Sequence, residues 1–173
     1  AEAISFPIMA EMSQVWLGLT HPERMWRRAA MVVAGSVTGV AVTHLLTRGG
    51  HQPPAPWTTP EMRTATSRYL SQGPRGYWKQ ALTGIPVKLF AAESGRRDLL
   101  LPSVVIHAAG ERAVRMAAST AIVRTLGKPL GPITRQHYGP YLAATGVVFA
   151  TALRGVIRHW QRPRRPGRPC SPA

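Results

Sequence analysis

Hydrophobic and polar positions divide the chain into two apolar runs, one mixed helical stretch and several arms rich in proline and arginine. The first run, Ala29 to Thr47, is nineteen residues without a charge. A helix rises about 1.5 Å per residue, so this run reaches roughly 28 Å, close to the ~30 Å hydrocarbon core of a bilayer. Arg27 and Arg28 bound it on one side and Arg48 on the other. Trp26 stands at the entry, where an amphipathic ring favours the headgroup level. The pattern predicts a transmembrane helix over about 29–47. Pro22 with Glu23 marks a helix start ahead of it, and Gly49-Gly50 marks the end.

The second run, Tyr141 to Ile157, holds one charge, Arg154, about a turn from its end. Its guanidinium can snorkel toward Arg158, His159 and Trp160, with Tyr138 and Tyr141 at the opposite belt. Residues 141–157 are therefore a second candidate span, weighed against a helix packed on protein. Between the runs, His107, Glu111, Arg115 and Ser119 recur every four residues as a polar stripe. Ile106, Ala109, Ala113, Met116 or Ala117, Thr120 and Val123 follow the other side. This predicts a surface amphipathic helix over about 103–126, with Glu111 and Arg115 paired at i,i+4. Gly127-Lys128-Pro129 is expected to stop it.

The remaining segments are arms. Residues 1–28 are a lead-in. Residues 48–102 are a linker with short helices: Pro53, Pro54 and Pro56 favour an extended arm through Trp57, and Pro60 to Gln72 reads as a helix closed by Gly73-Pro74. Gly84 to Phe90 is too short to assign. Pro129, Pro132 and Pro140 make 127–140 a second linker, and 158–173 is an arginine- and proline-rich tail. The fold class is mostly α, organised around 29–47, with arms too basic and too broken to build a large core.

Small residues at i,i+4 let helix backbones approach in lipid. Gly35, Gly39 and Thr43 form such a stripe on the first run, and Gly146 and Ala150 on the second. Both are expected to face other helices.

Charge changes the picture more than composition does. Lys and Arg number 22 against 7 Asp and Glu, giving +15. The excess lies beyond the first run, since Arg24, Arg27 and Arg28 are balanced by Glu2, Glu11 and Glu23. Such a surface suits anionic lipid, acidic subunits or nucleic acid. Candidate anion contacts are Arg27 and Arg28 before the first run, and Arg158, Arg162, Arg164, Arg165 and Arg168 after the second. Counting basic residues beside each run puts the excess on both outer flanks, which predicts a two-span hairpin with both termini on one side.

Catalytic patterns are absent. There is no phosphate-binding glycine loop, no dinucleotide fingerprint and no paired-histidine zinc motif. The acids are scattered, and Cys170 is the single cysteine, so no internal disulfide forms. His44 is expected to sit hydrogen-bonded at the headgroup boundary without a haem. His107 and His137 read as surface or interface residues. No enzyme activity, metal or cofactor is expected, beyond a structural lipid.

Trp26-Arg27-Arg28 before Ala29–Thr47, the Pro53–Trp57 arm and the Arg158–Arg168 tail together resemble the supernumerary subunits of mitochondrial inner-membrane complexes. These are subunits of respiratory-chain complexes and of the membrane part of F-type ATP synthase. The resemblance is one of class. It implies an accessory subunit that assembles with other subunits, binds cardiolipin or other anionic lipid, and does no chemistry. An organellar ribosomal protein binding RNA through its basic surface is the alternative, and a thylakoid subunit shares the same physics. The uncharged run argues against nucleic acid.

Overall fold

A computed structural model describes residues 22–55 and 58–161. Among them there are helices and turns but no strand. A 3-10 turn, Pro22–Arg24, leads into α1, Met25–Arg48. The Gly49 N–H bonds the Leu45 carbonyl at 3.0 Å and Gly50 follows at φ +84°, so the glycine pair ends the helix as expected.

Helix α2, Pro60–Leu70, starts where Thr59 accepts from the Met62 N–H at 3.3 Å. It ends two residues short of the predicted Gln72, and Gly73 turns the chain at φ +85°. A 3-10 segment, Pro74–Lys79, and a single turn, α3, Gln80–Thr83, lead to Gly84. Helix α4, Val87–Arg96, begins within the Gly84–Phe90 stretch that is too short to assign from its residues alone. Val87, Leu89, Phe90, Ala91, Ala92, Ser94 and Gly95 are all buried, so it is covered nearly all round.

Helix α5, Leu101–Gln136, is longer than predicted and runs through Gly127, Pro129 and Pro132. A proline removes one backbone bond and kinks a helix without forbidding it. Pro129 and Pro132 are three residues apart, so their lost bonds fall on one side of the helix and the other side carries it through. The expected 127–140 linker shrinks to the turn at His137, after which α6, Tyr138–Gln161, begins.

The long helices alternate in direction. Arg48 Nε lies 2.6 Å from Asp98 Oδ1, which joins the end of α1 to the start of α5. Met25, at the start of α1, packs with Val123 far along α5, and Tyr141 of α6 joins them. The other end of α6 reaches the main core, where Trp160 Nε1–H donates to the Thr83 carbonyl at 3.2 Å. Helix α5 is thus antiparallel to α1, and α6 runs back parallel to α1. The two apolar runs do not form the antiparallel hairpin that the charge count predicted.

The arms also build more than expected. Val40, Met62, Leu70, Tyr77, Ile85, Phe90 and Val104 form one buried cluster around α4. The Tyr77 and Phe90 rings meet at 5.6 Å. This core packs on the half of α1 that follows Gly39, and it corrects the expectation that the basic arms could not enclose one.

Candidate membrane-facing surface

Helix α5 keeps the predicted period, but its buried face falls between the two predicted stripes: Val104, Ala108, Glu111, Arg112, Met116, Thr120 and Val123 are buried, and of the polar stripe only Glu111 turns fully inward. Glu111 is 2% exposed and Arg112 0%, whereas Ile106, Val114 and Ile122 are 67%, 57% and 58% exposed. Arg115 Nη1 donates to Glu111 Oε1 at 3.3 Å, as the i,i+4 spacing predicts, and to Gln80 Oε1 at 3.2 Å. Gln80 in turn donates to the Ile85 carbonyl at 3.3 Å. Charges packed in this way are tied to one another and to polar groups of the 74–83 segment. Of the side predicted to be apolar and inward, only Met116, Thr120 and Val123 are buried.

Helix α6 is apolar and bare. Leu142, Val147 and Val148 are exposed, and no residue of its most apolar stretch is buried within the chain. It is fixed near its ends, by Tyr141 on Met25 and Val123, and by Val156 and Trp160 on the main core. Trp160 is therefore a buried anchor and not the belt residue expected. Around Gly146 a β-carbon would find open space, and Ala150 is exposed, so among the described residues that stripe meets no other helix.

Helix α1 is divided. Trp26 and Met31 stand exposed near its start and Val42, Leu45 and Leu46 near its end, while Gly39, Val40, Thr43, His44 and Thr47 are buried. The small-residue stripe is used by this chain itself. Gly95 of α4 lies so close to the Thr47 hydroxyl and the His44 carbonyl that a β-carbon would collide with both. Gly39 and Thr43 belong to this buried face; Gly35 faces open space.

His44 is fully buried, not at a boundary. Its Nδ1 is 2.9 Å from Ser94 Oγ, and the Tyr77 hydroxyl is 3.2 Å from the same oxygen. Ser94 donates its proton to the Ala91 carbonyl at 2.8 Å, so His44 Nδ1–H and the Tyr77 O–H both donate to Ser94. Burial raises the Tyr77 pKa, which keeps the phenol a neutral donor. All three side chains are sealed from solvent, so this chain of bonds locks α1, α4 and the 3-10 segment together and offers no nucleophile to a substrate. His107 bonds the Ser103 carbonyl through Nδ1 at 2.8 Å, and His137 is exposed at the turn before α6.

Among the described residues two helices, α1 and α6, are long and apolar enough to cross a membrane by length and composition. Family models, curated proteins and solved structures give no match to this chain.

Of the candidate anion contacts, Arg27 and Arg158 are exposed and Arg28 is half-buried. Arg162, Arg164, Arg165 and Arg168 lie outside the described residues, as do Trp57 and the lead-in before Pro22. Among the described residues no three His, Cys, Asp or Glu side chains converge on a point that would hold a metal ion. Sequence reasoning missed Gln80, Ser94, Gly95 and Arg112, the residues that hold the interior together.

Proposed function

We propose that this protein is a non-catalytic accessory subunit embedded in the mitochondrial inner membrane. It serves an energy-transducing complex there, a respiratory-chain complex or ATP synthase. Its role is assembly, stability and contact between subunits, with cardiolipin or other anionic lipid held by its basic residues. The observation that carries the membrane reading is the polarity of α5. Water penalises both halves of that arrangement, the buried Glu111 and Arg112 and the bare Ile106, Val114 and Ile122. A bilayer favours it, because ionisable groups in membrane helices turn inward and pair while apolar side chains meet lipid. The bare face of α6 supports the same reading. The choice of organelle and of complex rests on the class resemblance and on the +15 charge.

Alkaline carbonate extraction tests the first part. The wild-type chain is expected to stay in the membrane pellet. Val114→Asp with Ile122→Asp alters two exposed positions and adds roughly 2.5–3.5 kcal/mol of insertion cost per charge. That double variant is expected in the supernatant. Release of the wild type, or its sedimentation with ribosomal RNA, would sink the proposal. Depletion of the subunit is expected to lower the amount of one assembled complex on a native gel while turnover per intact complex holds.

A further inference from the structure

The 74–83 segment presents one face to the exterior. Arg75, Trp78, Lys79 and Leu82 recur at i, i+3, i+4 and i+7, and all are exposed, Trp78 at 44% and Leu82 at 86%. Gly76, Tyr77 and Gln80 fall between them and are buried. Each of these is held in place. A β-carbon on Gly76 would collide with the Tyr69 carbonyl. The Tyr77 hydroxyl reaches Ser94 Oγ, and Gln80 donates to the Ile85 carbonyl and accepts from Arg115. The segment cannot turn its outward side in without breaking these contacts.

The outward face is apolar and cationic at once. The Trp78 ring lies over Gly110 of α5, 3.2 Å from where a β-carbon would stand. Ile106 and Val114, a turn to either side of Gly110, are exposed, so the ring continues their apolar row. Arg75 and Lys79 border it, and no Asp or Glu lies between Glu61 and Glu93 to compete for them. An acidic protein surface would satisfy the cations and leave Trp78 and Leu82 without an apolar counterpart. The headgroup layer of an anionic bilayer satisfies both. An indole ring favours that level, and Lys and Arg lay their stems along hydrocarbon while their charges reach phosphate.

We propose that this face lies in the headgroup layer of an anionic bilayer, with Trp78 and Leu82 at the edge of the hydrocarbon and Arg75 and Lys79 on lipid phosphates. The inference rests on the membrane reading above and adds to it the surface that meets anionic lipid. The full chain is reconstituted into phosphatidylcholine nanodiscs in which part of the lipid is brominated. The bromine sits near the headgroup or near the chain end, on phosphatidylglycerol or on phosphatidylcholine. Trp78→Phe is measured in parallel, and the difference in fluorescence isolates this ring from the other tryptophans. Shallow bromine is expected to quench Trp78 and deep bromine to leave it bright. Brominated phosphatidylglycerol is expected to quench at a lower mole fraction than brominated phosphatidylcholine. Arg75→Gln and Lys79→Gln are each expected to reduce that preference roughly fivefold, the share of one cation near an anionic surface.

Trp78 bright with every lipid would mean that water or protein covers the face, and strongest quenching by deep bromine would place it in hydrocarbon; either result overturns the proposal. So does an unchanged preference for phosphatidylglycerol in both charge variants. All three substituted positions are exposed, so none of the variants has to repack the interior. The outcome is separable from the carbonate experiment. A chain that resists carbonate and leaves Trp78 bright keeps its membrane attachment and loses this face. A chain that carbonate releases is added to preformed vesicles of the same lipids, where shallow quenching of Trp78 upholds the face without a span.

Discussion

Gly95 rests on the His44 carbonyl with no room for a β-carbon between them. Gly95→Ala must therefore push α4 away from α1, although alanine is the better helix former. Overpacking at a fixed backbone costs about 1–3 kcal/mol. Gly110 is the comparison: a β-carbon there meets only the Trp78 ring, at 3.2 Å, and that half-exposed ring can shift. Gly110→Ala is expected to be near neutral, its ~0.5–1 kcal/mol propensity gain offsetting the squeeze. Thermal unfolding of the two variants in micelles, followed by circular dichroism, checks the contrast.

The Glu111 carboxylate lies 3.3 Å from the Arg115 guanidinium and 3.8 Å from that of Arg112. Removing one partner of a buried charge cluster costs about 3–5 kcal/mol. Glu111→Ala is expected in that range. Arg115→Met should cost less, because Arg115 is the more exposed partner. Denaturant titrations would rank them, and equal losses would mean that the cluster is not organised around Glu111.

Lys88 gives a pH signature. Its folded pKa lies below the ordinary 10.5, so between the two values the unfolded chain binds the extra proton and wild-type stability rises with pH. Below the folded value the whole desolvation cost is present. The stability of the wild type relative to Lys88→Met is therefore expected to rise as pH climbs from neutral toward 10.5. Melting temperatures of both proteins across that range test the sign.

The parallel course of α1 and α6 revises the expected hairpin. If both helices span, the Gly49–His51 turn and the segment after Gln161 share one face of the membrane, and His137 sits at the other. Cys170 is the single native cysteine and serves as one reporter. In a Cys170→Ser background, His51→Cys and His137→Cys supply the other two. A membrane-impermeant maleimide is expected to label Cys170 and His51→Cys from the same side and His137→Cys from the opposite one. Labelling of all three from one side would contradict the spanning arrangement.

How much was legible in the residues depended on whether an element shows contrast. Helices α1 and α6 are visible because arginines bracket runs of uncharged side chains. The cap at Thr59-Pro60 and the stops at Gly49-Gly50 and Gly73 are local chemistry and follow from the sequence directly. Helix α4 is invisible because burial nearly all round leaves no polar stripe against which to read a period. Its Lys88 reads as a solvated charge until the fold encloses it. Helix α5 shows the right period with its buried face rotated: Glu111 is enclosed with Val104, Ala108 and Met116 while Ile106 is exposed, because periodicity marks the faces of a helix and only the surroundings decide where the inward one is centred. Gly95 carries no signal of its own, since its neighbour at Thr47 comes from 48 positions earlier in the chain.

The charges enclosed on α5 have a consequence for how the protein would be made in a membrane. Insertion machinery that tests helices singly for greasiness would reject the first half of α5, because Glu111, Arg112 and Arg115 fall within it. Those charges become acceptable only after Gln80 and the 74–83 segment have closed over them. If the proposed membrane setting holds, α5 is expected to enter by docking, with the interior assembled before its apolar side chains meet lipid. A ribosome-bound chain truncated just after Gln136 would already carry everything that α5 needs. One truncated before Gln80 would have α1 in place and nothing yet to receive the charges.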